Sequence, residues 1–237
     1  MPTRQLEDPA LRGEAAKFAT EAELVCAVVR FLSAERSAAF RYIAEHEAGF
    51  GRPDLVLYNR AVTEDGDLET LCTVRPRLAP LLSPKAACRI ASLEDLARAT
   101  GTTPRTARSI ARQLAAVRRL KWKSTTDFEI LPIRHFPFRN VVAVEAKLRD
   151  WRRGLVQAYR YREFSSEAWV LLDATQTGPA LKNIARFEAT GVGLASYSAN
   201  NELFVHIPAR PSEIPDTALA WRTQTMLAKV IQKLRTH

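Results

Sequence analysis

The chain has 237 residues, and its apolar (46%) and charged (26%) fractions are those of an ordinary globular protein of one large or two small domains. No run of about eighteen apolar residues exists and the N-terminus has no apolar signal core, so membrane and secretory roles are not expected and a cytoplasmic location is. Three scattered cysteines (Cys26, Cys72, Cys88), with no Cys-x-x-Cys pair, argue for reduced thiols and against structural zinc. The net charge is +9, and residues 85–123 hold ten Lys or Arg against two acids, which leaves about +1 for everything else. A basic surplus confined to one segment suggests a module that binds a polyanion; a solvated face kept for solubility is the alternative.

Residues 1–19 read as a polar arm with a short helix near 14–18. In 20–34 the residues Leu24, Val25, Val28, Val29 and Leu32 fall at helical spacing, Thr20 is placed to cap, and Glu21 and Glu23 suit the positive end of the helix dipole. An extended stretch at 40–44 and a turn at Gly49 and Gly51 lead to Pro53-Asp54 and a strand over 55–57, followed by a polar connection over 59–67. From 71 to 132 the pattern changes to Arg- and Ala-rich helices. A first helix is expected within 76–90. Ser92-Leu93-Glu94-Asp95 opens a second as a capping box, Gly101 closes it, and Thr103-Pro104 starts a third that runs to about 119. The third helix should bury Ala107, Ile110, Leu114 and Val117 and expose Arg105, Arg108, Ser109, Arg112 and Gln113. Strands at 120–123 and 128–131 then form a short hairpin. Helix, glycine turn, Arg-rich helix and hairpin resemble a winged helix-turn-helix, which implies duplex DNA contacts from Thr103, Arg105, Thr106, Arg108, Ser109, Arg112, Lys121 and Lys123.

Beyond this segment, residues 140–147 form an apolar strand ending Glu145-Ala146-Lys147. Alternation along the strand puts Glu145 and Lys147 on one side, where two buried charges need compensation and a divalent metal could supply it. A helix over 150–164 follows, with Leu155, Val156, Tyr159 and Phe164 expected near one side. It contains Gln157-Ala158-Tyr159-Arg160-Tyr161, whose Gln157 and Tyr161 share a helical face and read as a contact to DNA or to the site, or as a packing pair. A strand at 169–173, a helix at 179–189 closed by Gly191, strands at 192–197 and 202–207, and a proline-marked linker into a helix over 216–234 complete the chain.

The Pro-Asp strand and the strand ending Glu-x-Lys resemble the PD-(D/E)xK nuclease superfamily. The Gln-x-x-x-Tyr helix is similar to that of its RecB-like branch, and Glu21-Ala22-Glu23-Leu24 to the opening of the Holliday-junction resolvases. The resemblance covers 20–58 and 140–207. It implies an α/β restriction-endonuclease-like core with an inserted winged helix-turn-helix: 1–70 and 133–237, the latter with the C-terminal helix, as core, and 71–132 as insert. It further implies Mg2+ or Mn2+ held by Asp54, Glu145 and Glu21, catalysis by these with Lys147 and Gln157, and Tyr161 as a DNA contact. The expected activity is endonucleolytic cleavage of duplex or branched DNA, with a homodimer compatible. Two rivals stand beside it: a non-catalytic DNA-binding regulator on the same scaffold, and a protein-interaction module. The sequence has no Gly-rich phosphate loop, so an NTP-driven motor is not encoded.

Overall fold

The computed structural model describes residues 18–34, 41–44, 52–60 and 65–235. Within these the protein is mixed α/β, with a six-stranded sheet in the order β1 (Arg41–Ala44), β2 (Leu55–Arg60), β5 (Phe138–Lys147), β6 (Glu167–Asp173), β7 (Gly193–Tyr197) and β8 (Leu203–Ile207), and a separate two-stranded hairpin. The turn expected at Gly49 and Gly51, and residues 14–17 of the expected N-terminal helix, lie outside the described residues.

Helix α1 (Glu21–Ala34) starts with a reciprocal cap. The Glu23 N–H donates to Thr20 Oγ1 (3.1 Å) while Glu23 Oε2 accepts from the Ala19 N–H (2.9 Å). Its buried Leu24, Val25 and Val28 pack into a cluster with Leu55, Val142, Val144, Ala146, Leu171, Ala195 and Tyr197. Strand β1 (Arg41–Ala44) pairs antiparallel with β2 (Leu55–Arg60). Where a polar connection over 59–67 was expected, β2 continues to Arg60 and α2 (Asp65–Thr73) begins, burying Leu68 and Leu71 at i, i+3.

A 3-10 turn over Pro76–Leu82 and the short α3 (Pro84–Ala87) replace the single helix expected within 76–90. Proline is the cause. Pro84 disfavours helical backbone at the residue before it, and Ser83 is extended (φ −67, ψ 144). The helix therefore restarts, with the Ser83 side chain accepting from the Ala86 N–H. Helix α4 (Leu93–Thr100) is capped by Ser92 and closed by Gly101 at φ 62. Asp95 accepts from Ser92 Oγ and from the Ala91 N–H, and these bonds hold its carboxyl below the usual range. Helix α5 (Pro104–Ala116), capped by Thr103, buries Ala107, Ile110, Ala111 and Leu114. It ends three residues early because Val117 leaves helical geometry and Arg118 turns to φ 58, so Val117 is a half-buried cap rather than part of the stripe. Strands β3 (Leu120–Trp122) and β4 (Phe128–Ile130) pair antiparallel, and the hairpin bonds back to the start of α4 through Leu93 N–H to Thr126 O and Phe128 N–H to Ala91 O, each 2.9 Å.

Strand β5 (Phe138–Lys147) runs parallel to β6 (Glu167–Asp173), and β6 parallel to β7 (Gly193–Tyr197). Strand β8 (Leu203–Ile207) is antiparallel to β7, and Asn201 at φ 63 sits in the turn between them. Helix α6 (Trp151–Tyr161) is capped by Asp150 and buries Trp151, Gly154, Leu155, Ala158 and Tyr161. Val156 and Tyr159, expected on the inner side, are exposed. The small residues decide the register: a Cβ on Gly154 would stand 3.1 Å from Lys147 Cγ and 3.2 Å from Val170 Cγ1, so α6 approaches the sheet through its glycine. One helix expected over 179–189 is two, α7 (Gly178–Leu181) and α8 (Ile184–Thr190), broken at Asn183 and closed by Gly191 at φ 68.

The last helix, α9 (Ala218–Arg235), corrects the expected domain division. Compact unit one is Met1–Arg60 with Arg139–Ile214, and unit two is Ala61–Phe138 with Pro215–His237. The C-terminal helix thus belongs with the helical unit rather than with the sheet. Its buried Ala220, Gln224, Leu227, Ala228 and Ile231 form the stripe by which it packs on α2 and the 3-10 turn. Gln224 accepts from the Phe138 N–H (3.0 Å) and donates to the Phe138 carbonyl (2.8 Å). An amphipathic stripe announces that a helix is covered, not by which neighbour. No described helix is long and apolar enough to cross a membrane.

Trp169 and Gly193 are cross-strand partners on β6 and β7, and a Cβ on Gly193 would meet the Trp169 ring at 2.3 Å. Gly193→Ala should therefore destabilise by about 1–3 kcal/mol, as overpacking does, measured as a lower urea midpoint with unchanged slope.

Candidate functional site

The site lies in unit one. Along β5 the residues Val142, Val144 and Ala146 join the α1 cluster, so Glu145 and Lys147 project from the opposite face, toward α6. Lys147 is 7% exposed and Glu145 2%. Their Nζ–Oε1 distance is 2.8 Å. The other Glu145 oxygen accepts a 2.5 Å hydrogen bond from the Tyr161 hydroxyl. The remaining ammonium protons of Lys147 go to the Ala146 carbonyl (2.8 Å) and to Glu21 Oε2 (3.0 Å). All three donors of the ammonium are thereby used.

Asp54, at the mouth of β2, accepts the Ala146 N–H on Oδ2 (2.8 Å), which fixes it beside the Glu145–Lys147 strand end. Burial pushes its carboxyl up to about 6; the Ala146 bond and Lys147 oppose this, and Glu145 and Glu21 add to it. For Lys147, burial favours the neutral amine, but the bonds to Glu145 and Glu21 outweigh it and hold the ammonium above its ordinary value. Burial, then the bond to Glu145, pushes the Tyr161 phenol up, so it stays a donor.

Glu21, Asp54, Glu145 and Lys147 are thus brought to one place by the start of α1, the start of β2 and the end of β5. Glu23 is not: it caps α1. Gln157 is half-buried on α6, and its buried Oε1 has no partner among the described residues. It makes no bond to the carboxylates. Tyr161, expected at the DNA, is 2% exposed and belongs to the charge cluster instead. Its place in Gln-x-x-x-Tyr marked a face of the helix, but that face turns inward. The Ala146 carbonyl and Gly154 carried no side-chain signal and were not anticipated.

In unit two, Arg105, Thr106, Arg108, Ser109, Arg112, Lys121 and Lys123 are exposed, the three arginines on one side of α5. Thr103 caps the Thr106 N–H (3.3 Å) and its hydroxyl shares a hydrogen bond with Thr106 Oγ1 (3.1 Å). Lys123 lies 3.5 Å from Glu129. Arg119 is spent internally on Asp67 and on Thr70 Oγ1. His135 is exposed.

No protein-family model matches this chain, and no curated protein or solved structure does.

Asp54 titrates near 6 in the folded chain against 3.8 for a free carboxyl, so between those pH values the folded state binds the extra proton. Its contribution to stability is present below the unfolded value and is lost as pH rises through 6. Asp54→Asn should therefore raise the Tm of the metal-free protein at pH 7.5 and change it little at pH 4. Scanning calorimetry at both pH values checks this.

Proposed function

We propose that this protein is a metal-dependent DNA nuclease of the PD-(D/E)xK type, whose unit two carries a winged helix-turn-helix that grips duplex DNA. The observation that carries the reading is the convergence of Asp54, Glu145, Glu21 and Lys147 at one strand end, with Asp54 left short of positive charge.

The donor set fits magnesium or manganese. Both prefer oxygen, and magnesium keeps several waters, so it needs only one or two carboxylates beside the substrate phosphate. Asp54 and Glu145 would hold the ion. When bound, it would supply a more acidic water and positive charge against the phosphate oxygens.

The chain's own residues do the rest. Tyr161 keeps one Glu145 oxygen oriented through a short hydrogen bond from a phenol that resists ionisation. The Ala146 N–H fixes the Asp54 carboxyl. Lys147 must free a donor before it can steady a water or a phosphate oxygen. Of its two carboxylate partners Glu21 is the more exposed, with a side chain 43% accessible against 2% for Glu145. Glu21 is therefore the one that Lys147 releases, and Glu145 the one that keeps it aligned.

For unit two, support comes from the exposed arginines of α5, the αL glycine between α4 and α5, and the hairpin tied to the start of α4. A non-catalytic DNA-binding regulator is favoured by one observation, the full occupation of the Lys147 donors by Glu145, the Ala146 carbonyl and Glu21.

Cleavage of linear, nicked, branched and single-stranded DNA, with magnesium, manganese or EDTA, separates the two. Lys147→Ala and Asp54→Asn should abolish a magnesium-dependent activity, while DNA binding persists or, for Asp54→Asn, tightens. Wild-type protein that binds DNA but cuts none of these substrates with either metal is the regulator. For Arg105→Ala/Arg108→Ala/Arg112→Ala, the salt slope of log K on duplex should fall by about 0.9 for each phosphate no longer neutralised, up to about 2.7. An unchanged affinity and slope in a salt titration would remove α5 from the DNA interface.

A further inference from the structure

The outer face of α6 holds side chains that neither the sheet nor the charge cluster uses. With Trp151, Gly154, Leu155, Ala158 and Tyr161 turned inward, the opposite arc runs Tyr159, Arg152, Val156, Arg160, Arg153. All five are exposed, as is Arg149 in the loop before the helix. Val156 is 53% and Tyr159 55% exposed, so two large apolar groups stand in solvent between cations. Residues 147–162 hold five arginines beyond Lys147 itself against one acid. Among the described residues none of Arg149, Arg152, Arg153 and Arg160 enters an ion pair.

This combination selects its partner. An apolar protein surface would strip water from several guanidinium groups without repaying it. The phosphates of a duplex would satisfy the arginines, but its stacked bases would leave Tyr159 and Val156 uncovered. A single strand offers both, since its phosphates meet arginine and each unstacked base has a face for an aromatic ring.

We propose that the outer face of α6 binds an unpaired stretch of DNA, with Tyr159 stacked on a base, Val156 beside it, and Arg152, Arg153 and Arg160 on the phosphates. This rests on the nuclease reading and narrows its substrate class to DNA with a single-stranded segment: flapped, gapped, resected or branched. The inner side of the same helix gives Tyr161 to Glu145, so a strand held on α6 lies on an element that borders the candidate site.

The test is fluorescence anisotropy with the full chain in EDTA, which separates binding from cutting. The probes are an oligothymidylate, an abasic oligonucleotide of equal length, a blunt duplex, and that duplex with a single-stranded tail. Tyr159→Ala should weaken the oligothymidylate and the tailed duplex about tenfold, within the range for removal of one stacked base, and leave blunt duplex and abasic strand unchanged. Tyr159→Phe should restore binding, which excludes misfolding. Arg152→Ala/Arg160→Ala should lower the single-strand salt slope by about 1.4. The proposal is overturned if Tyr159→Ala binds every probe like the wild type, or if the abasic strand binds as tightly as oligothymidylate, which would make the face a general polyanion site. It also falls if Tyr159→Ala only changes the oligomeric state, which would make the face a contact between copies. Loss of the nuclease reading is distinct: no DNA would be cut in magnesium or manganese, while the Tyr159 effect in EDTA would remain.

Discussion

A carboxylate and an ammonium buried at the end of one strand govern what surrounds them. Glu145 and Lys147 sit where water cannot solvate them, and each alone would carry a large desolvation cost. Their mutual contact offsets part of it, and the neighbouring elements supply the remainder: Tyr161 from α6, Glu21 from the first turn of α1, and the Ala146 carbonyl from β5. This requirement explains why α6 must approach closely enough to need Gly154, and why α1 must begin at the strand's open end. The excess of acid over base in the cluster then falls on Asp54, the member held only by a backbone N–H.

The proposed function divides along the same line. The pair Glu145–Lys147 is satisfied and stiff, whereas Asp54 and Glu21 are more open. A site built this way keeps its framework charged and aligned while leaving its outer members to exchange partners. Preorganised polar groups are what phosphoryl chemistry asks of a protein, because little covalent work is left to it. The exposed arginines of α5 and α6 lie outside this framework and can change without disturbing it.

Much of the fold was legible because its signals are local. Thr20, Ser92 and Thr103 cap helices that start beside them, Gly101 and Gly191 adopt the left-handed backbone that ends them, and the alternation of β5 gives the facing of Glu145 and Lys147. The convergence of Glu21 and Asp54 on that pair was implied by the family resemblance rather than by any local signal. Tertiary choices were not legible. Val156 and Tyr159 are more apolar than Gly154 and Ala158, yet the small pair faces inward because closeness rather than hydrophobicity sets that contact. For Tyr161 the helix face left DNA and the site as alternatives, and the same closeness turns it to Glu145. The broken helix at Ser83-Pro84 carried its warning in its prolines, while the allegiance of α9 carried none.

That allegiance bears on how the chain is made. Helix α9 supplies one wall of unit two, and it leaves the ribosome after every other part of that unit. Until then Leu71, Leu78 and Leu82, all buried in the finished protein, lack the surface that covers them. Unit one cannot wait in a finished form either, since its first strands and its remaining sheet are separated by the whole of Ala61–Phe138. Vectorial folding from the N-terminus is thus denied to both units, and the nascent chain must hold apolar surface in reserve until α9 has been made.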